Sequence, residues 1–527
     1  MAVLAMAAVS CLKDNSSQVK EEGMSLMVSM PETVTRILMG DKEGSSYPVL
    51  WSAGDVISVN GVRSLPLDEA AAGGTSASFF FEHPVAAPYN VTYGCFLGQD
   101  DIISIPSAQK MNALVSFSDG LMPMYATSMT EPHVKMQHLA SVLRVTIAEE
   151  GKLRRISHVR VSSPEGNRIS GIYRLGVSDG LFDGTAEILN GSAVITLAAG
   201  PDDMPAASSF IVLLAPGHYP EGLDVSVTDV DGKTMFAHVV VEKELVAGTV
   251  YETPELEFTE DDAAEFLIRS TSDLAEFRTR VLAGEVTLSA VLVHDLSVEA
   301  GVWDTPLNMY QGTVDGAGHT ISGLKCPMFN ELRGIVRNLI LDSHIEIELP
   351  SPSDTMWTGI LAQRLAAGSG NNPHTGHVIN CTSKGTLKVV NTSTTKANAN
   401  IGGIVGYMVR GSVTGCVNKA DISVSAAAST KKVNVGGIIG RAYSGGAVMD
   451  IADCVNEGSI TVSGTPSVYY AGGIIGESDT TSGTAEPNTI DNCLNFGVLT
   501  ITAVPTSSGS KSDKVAGHST NVMVNCF

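Results

Sequence analysis

Apolar residues in the first half of this chain recur mostly at every second position, in short runs broken by turns. MSLMVSM alternates from Met24. HLASVLRVTIAEE does so from His138, with Leu143, Val145 and Ile147 on one face. Period-two alternation sets one face on a core and the other in water, so these runs are strands. GDKEGSSYP (40–48) is a loop. VLWSAGDVISV reads strand, turn at Ala53 to Asp55, strand, and ASFFFEHP from Ala77 is another strand. RRISHVRVSSPEG, GIYRL, SAVITL and SSFIVLLAPGHYPEGLDVSVTDVDGKTMFAHVVVEKELVAGTVY continue the pattern. DVDGK at 229–233 is a hairpin turn, with Gly232 at a position suited to positive φ. Short strands with frequent turns predict two tandem β-sandwiches, 24–137 and 138–256, behind a leading segment 1–23.

The pattern then changes. Residues 251–270 are acidic and polar and read as a linker, and 257–527 reads as a further domain. In SDLAEFRTRVLAG, Leu274, Phe277 and Val281 share a helical face, and Asp273 with Glu276 fits a capping box. A short helix here would cover the open end of a β-stack. TLSAVLVHDLSV is a strand pair. In GTVDGAGHTISGLKC, Gly312, Asp315, Gly316 and Gly318 form turns, and Val314, Ile321 and Leu324 are inward candidates. RGIVRNLILDSHIEIEL, with Ile335, Val336 and Leu339, starts the next coil.

Three later segments share one plan: NIGGIVGYMVRGSVTGCVNKADISV (400–424), NVGGIIGRAYSGGAVMDIADCVNEGSITV from Asn434, and YAGGIIGESDTTSGTAEPNTIDNCLNFGVLTI from Tyr470. WTGILAQ (357–363) is a degenerate earlier copy. A phosphate-binding glycine loop would occur once, between strand and helix, whereas this element repeats. Gly402 and Gly403, Gly436 and Gly437, and Gly472 and Gly473 are expected to turn with positive φ or to allow close approach at a corner. One residue of each pair Ile404–Val405, Ile438–Ile439 and Ile474–Ile475 is expected to face inward, with Gly406, Gly440 and Gly476 ending the strand. Cys381, Cys416, Cys454, Cys493 and Cys526 follow at spacings of 35, 38, 39 and 33. They are read as an inward ladder of small apolar side chains. Disulfides are the alternative, since neighbouring coils lie about 4.8 Å apart. Asn418, Asn456 and Asn495 suit turns. The fold class is all-β: two tandem sandwiches, then a right-handed parallel β-helix-like repeat domain with a capping helix.

Composition narrows the function. The net charge is -23, from 33 basic and 56 acidic residues, with no basic cluster, so nucleic acid is not an expected partner. Of eight cysteines none forms a CxxC pair, which argues against zinc. MAVLAMAAVS before Cys11 is apolar but too short to span a bilayer, and it lacks the basic start of a secretory signal. AAVSC resembles a bacterial lipoprotein cleavage box with Cys11 as the lipidated residue. Lys13 and Asp14 resemble the surface-export signal of Bacteroidetes lipoproteins.

Four segments in order, TRILMG…VLWSAGDVISV, SFFFEHPVAAPYNVTYG, HLASVLRVTI and LLAPGHYPEGLDVSVTDVDGKTM, resemble the fimbrillin-like family of Bacteroidetes. The resemblance covers roughly 24–255. It implies lipoproteins with two transthyretin-like sandwiches that build fimbriae or serve as tip or accessory subunits. Residues 270–527 look like the GLUG-repeat region of bacterial surface adhesins, with GGIVG or GGIIG in place of the name-giving letters. The resemblances imply an outer-membrane, cell-surface protein, lipid-anchored and incorporated in fimbriae. Its partners would be other fimbrial subunits or a host or bacterial surface protein or glycan, and it would touch the membrane only through the anchor.

No catalytic residue, metal or cofactor is expected. A polysaccharide-cleaving β-helix enzyme and a purely structural fimbrial subunit remain the alternatives. Glycan hydrolysis would need two nearby carboxylates, for which Asp295, Asp304 and Asp315 are the nearest candidates. His294 and His319 read as surface or core residues, and His374 and His377 supply too few ligands for a metal. Tyr407, Tyr443, Tyr469 and Tyr470 lie near the glycine corners and form the candidate ligand surface. Their structural role would be to cover those corners.

Overall fold

The computed structural model describes residues 23–30, 50–94, 101–110, 122–130, 133–146, 155–198, 204–205, 209–253, 259–261, 265–349, 355–366, 375–391, 398–427, 430–444, 449–480, 489–520, 522–524 and 526. Cys11, Lys13, Asp14, Cys95 and His374 lie outside them. The chain is nearly all β. No helix among the described residues is long and apolar enough to cross a membrane.

Alternating side chains build the front half. Met24–Ser29 pairs antiparallel with Ser76–Phe81, placing Leu26, Val28, Phe79 and Phe81 in one core around Trp51. A second core gathers Val145, Val159, Leu197, Val225 and Val227. The segment 101–110 crosses between them. Ile102–Ile105 pairs with Ser170–Ser178, and Ala108–Lys110 runs parallel to Val194–Ala198, so the two front cores share strands across residue 138. The supposed linker also pairs: Val250–Glu252 joins Ser141–Thr146, and Thr259–Asp261 joins Thr234–Val239.

From Phe266 onward every strand pair among the described residues is parallel, and these strands stack in chain order in four sheets of nine, ten, seven and five strands. Helix α1, Thr271–Leu282, covers the first coil with the buried face Leu274, Phe277 and Val281. Its N-cap is Ser270, whose Oγ accepts the Asp273 amide at 3.2 Å, while Asp273 reaches back to the Arg269 amide at 2.9 Å. The capping box is therefore Ser270–Asp273, three residues ahead of the expected Asp273–Glu276. A serine oxygen in extended backbone can accept that amide, and it starts the helix earlier.

Just before each inward Cys stands a residue with positive φ: Asn380 (53°), Gly415 (63°), Asp453 (56°) and Asn492 (49°), with Asn338 (54°) before Leu339. Asn, Asp and Gly tolerate this left-handed corner best. The thiols point inward. Cys381, Cys416, Cys454 and Cys493 are buried, and each lies against a carbonyl of the preceding coil. They are free thiols, as are Cys326 and Cys526. Asn418, Asn456 and Asn495 form an internal ladder: the amides of Asn418 and Asn456 each reach the next side chain at 2.7 Å, and all three reach the carbonyl two residues on.

The left-handed corner lies against the second sandwich and the crossing segment. Asp315, fully buried, accepts from Arg337 Nε (2.8 Å), Thr196 Oγ1 (2.7 Å), Asn338 Nδ2 (3.1 Å) and the Ala317 amide (2.9 Å). Arg160 of the sandwich stands 3.8 Å from Asp315 and grips Glu265 with two bonds of 2.8 and 2.9 Å. Ser107 Oγ joins Asn338 and Asn380, and Arg174 reaches Asn492. Ala198, Leu267, Val291, Val293 and Ala317 pack beside this polar cluster. The coil therefore lies side-on against the sandwich over several turns.

Candidate functional site at the glycine corner

The five-stranded and seven-stranded sheets meet at the GG pairs. Asn398–Gly402 leads through Gly403 and Ile404 into Val405–Met408, and Lys432–Gly436 and Val468–Gly472 lead likewise into Ile439–Ser444 and Ile475–Thr480. None of Gly402, Gly403, Gly406, Gly436, Gly437, Gly440, Gly472, Gly473 and Gly476 has positive φ. Close approach is the reason for glycine here. A Cβ at Gly403 would strike the Gly437 carbonyl and the Asn418 side chain. One at Gly437 would strike the Gly473 carbonyl and Asn456. Gly406, Gly440 and Gly476 do not end strands. They sit inside them, against the backbone amides of Thr358, Ile401 and Val435. Both members of each aliphatic pair are buried, not one. Replacing Gly437 by alanine should therefore destabilise the chain by roughly 2–3 kcal/mol, read as a lower urea midpoint. An unchanged midpoint would mean that the corner relaxes freely.

Because the sheets meet so closely, their other faces form one flank. Parallel register stacks Glu331, Arg364, Tyr407, Arg441, Glu477 and His518 in a column on the seven-stranded sheet. Beside it, Trp357, Asn400, Asn434, Tyr470 and Lys511 form a column on the five-stranded sheet. Trp357 and Tyr407 stack at 5.7 Å, with Arg364 5.5 Å over Trp357 and Arg441 6.0 Å over Tyr407 and 5.3 Å over Tyr443. Lys432 lies 4.9 Å over Tyr470, which contacts His518 at 4.9 Å. Such cation–ring contacts are each worth about 0.5–2 kcal/mol.

Two buried carboxylates underlie the rings. Glu477 is held by Lys432 (2.5 Å), Arg441 (2.9 Å) and Asn434 (2.9 Å). Glu331 is held by Arg333 and Arg364. Each acid is thus bracketed by two cations. Asp479 pairs with Arg441 at 3.3 Å. Burial raises the Tyr407 hydroxyl pKa, against the opposing pull of Arg441. Asn434 Oδ1 is buried without a hydrogen-bond partner.

Of the expected tyrosines, Tyr407, Tyr443 and Tyr470 belong to this flank. Tyr469 takes the opposite side of its strand, in register with Ala399 and Val433, and packs against the core. The sequence reading missed Trp357, Arg364, Lys432, Arg441, Glu477 and His518. Their signal was positional: Tyr407, Arg441 and Glu477 each follow the third glycine of their motif.

The three candidate acids do not share one partner set. Asp315 is locked in the sandwich contact. Asp295 is exposed and bonds the Thr320 amide and His319, and Asp304 caps the Gly301 amide. His294 and His319 stand with ring centroids 6.5 Å apart. His377 bonds Ser412 at 2.8 Å, and burial lowers its pKa. Among the described residues no group of three or more His, Cys, Asp or Glu is placed to hold a metal.

No family model matches the chain, and no curated protein matches it. Solved structures do. A candidate cell adhesion protein from Bacteroides ovatus aligns over 47 % of this chain and 100 % of its own, at 12 % identity and a TM-score of 0.30. Another from Bacteroides uniformis covers 46 % of this chain and 98 % of its own, at 17 % identity and TM-score 0.27. A fimbrial assembly protein from Parabacteroides distasonis covers 46 % and 99 %, at 12 % identity and TM-score 0.19. At TM-scores this low, the site has to be read from this chain's own side chains.

Proposed function

We propose that this chain is a cell-surface adhesion or fimbrial tip or accessory protein that binds a glycan or protein through the glycine-corner flank, without catalysis. The observation that carries this is the continuous cation–aromatic column shared by successive coils. A stacked coil repeats a contact along its axis and so suits an extended ligand. In this reading the front half is a pair of fimbrillin-like sandwiches, with boundaries near 24–137 and 138–256. The 257–527 region is a right-handed β-helix of GLUG type. Cys11 carries the lipid that holds the protein at the outer membrane, and other fimbrial subunits join through the sandwiches.

The test is a glycan and matrix-protein array probed with the full chain, since separating the coil would expose the Asp315–Arg337 contact surface. Reducing-sugar and unsaturated-product assays would accompany each glycan hit. Binding without product is the expected result. Product release, or no binding to any surface molecule, would overturn the reading.

A further inference from the structure

The charges on the flank are periodic. Among the described residues of the two columns from Trp357 onward, cations occupy alternate coils. Arg364 stands on one, Arg441 with Lys432 beside its column two coils on, and Lys511 two coils further. The coils between carry Tyr407 and, on the other, Tyr470 with the cation-paired Glu477. Coils rise about 4.8 Å each, so the cationic positions recur at about 10 Å. The Trp357 and Tyr407 rings are already stacked on each other and on arginine, so they offer little open face to a neutral sugar. The flank's charges, Arg333, Arg364, Lys432, Arg441 and Lys511 against Glu331, Glu477 and Asp479, leave a small positive excess within a chain of net charge -23. Glu331 faces two cations, Arg333 and Arg364, whereas Glu477 and Asp479 share Lys432 and Arg441.

We infer that the flank binds an acidic polysaccharide whose disaccharide repeat carries one carboxylate or sulfate. This rests on the adhesive reading above and names its ligand class. An acidic group on every second sugar recurs at about the length of a disaccharide, in step with the alternate-coil cations. The tyrosines between face the uncharged sugar through ring edges and hydroxyls. An extended acidic peptide fits less well, because its same-side residues recur at about 6.7 Å.

The test is calorimetric titration of the full chain with three probes of equal length: a hyaluronan decasaccharide, with uronate on alternate sugars, a decagalacturonate and a neutral maltodecaose. Hyaluronan is expected to bind at least tenfold tighter than maltodecaose, and the binding to weaken as salt rises. R364Q/K432Q should lose at least tenfold, while K388Q, on a different sheet, should not. If the double variant melts early, K511Q on its exposed strand should still weaken binding several-fold. Equal binding of maltodecaose, tighter binding of decagalacturonate, or undiminished hyaluronan binding by a folded R364Q/K432Q and by K511Q would overturn the assignment. If a neutral glycan or matrix protein binds and the same variants abolish it, the ligand class is wrong and the adhesive flank stands. If nothing binds, both fall.

Discussion

Asp315→Ala should destabilise the protein by about 3–5 kcal/mol, the range for removing one member of a buried ion cluster. The carboxylate meets Arg337, Thr196, Asn338 and the Ala317 amide directly and faces Arg160 across 3.8 Å. Alanine would leave Arg337 buried without its acid, and Arg160 with Glu265 alone. Calorimetry should show the coil and sandwich transitions drawing apart, because the lost contacts tie one to the other. A single transition at the wild-type temperature would mean the ion cluster is not what couples them.

The same cluster sets an acid limit. Burial alone would raise the Glu265 carboxyl, but the neighbouring His158, 3.6 Å away, and the bonds from Arg160 outweigh it and hold the pKa at about 2 instead of 4.5. Asp315 is lowered too: its burial is outweighed by Arg337, Arg160, Thr196 and the Ala317 amide. A depressed folded pKa gives stability that is complete above the unfolded value and lost as pH falls through the folded one. Denaturant midpoints should therefore drop between about pH 4.5 and 2, and Asp315→Ala should drop less over that range.

Asp453→Asn should do the opposite and stabilise the protein at pH 8. Asp453 is 3 % exposed, and neither carboxylate oxygen has a well-formed hydrogen bond. Burial pushes its pKa up to about 7. The nearby Asn492 side chain opposes the shift, and Cys493, Asp491 and Asp450 add to it. Here the folded pKa is the higher one. The unfolded chain releases this proton near pH 3.8 and the folded chain near 7, so stability falls as pH rises between them. Asparagine cannot ionise and suits the left-handed corner, where Asn338, Asn380 and Asn492 already stand. Allowing for the amide's own burial, the gain should be about 1–3 kcal/mol at pH 8 and vanish below about pH 4. Equal unfolding midpoints at pH 8 would show that Asp453 finds a partner in solution.

The sequence was most legible where a local period decides structure. Strand alternation, the α1 face of Leu274, Phe277 and Val281, and the inward Cys positions follow from spacing alone. Contacts between distant segments left no such trace. Ser107 meets Asn338 across 231 residues, and Thr196 meets Asp315 across 119. A glycine-rich turn gave no sign that its aspartate would serve as the ion centre of a junction. The flank was legible only by its tyrosines. Its charged members show a pattern only when the repeats are stacked in register, and loops of unequal length between GG and Cys hide that register.

The side-on docking also fixes where a pull would be felt. If the proposed ligand is held on the flank, it would load the coil, and the front half would bear the reaction through the left-handed corner. That junction runs along the coil through Asp315, Asn338, Asn380 and Asn492, so tension spreads over several parallel bonds instead of peeling one at a time. The corner therefore resists shear along the axis far better than prying at one end. The mechanical weak point would be the end farthest from the Asp315 cluster, where Arg174 and Asn492 make one 3.2 Å bond.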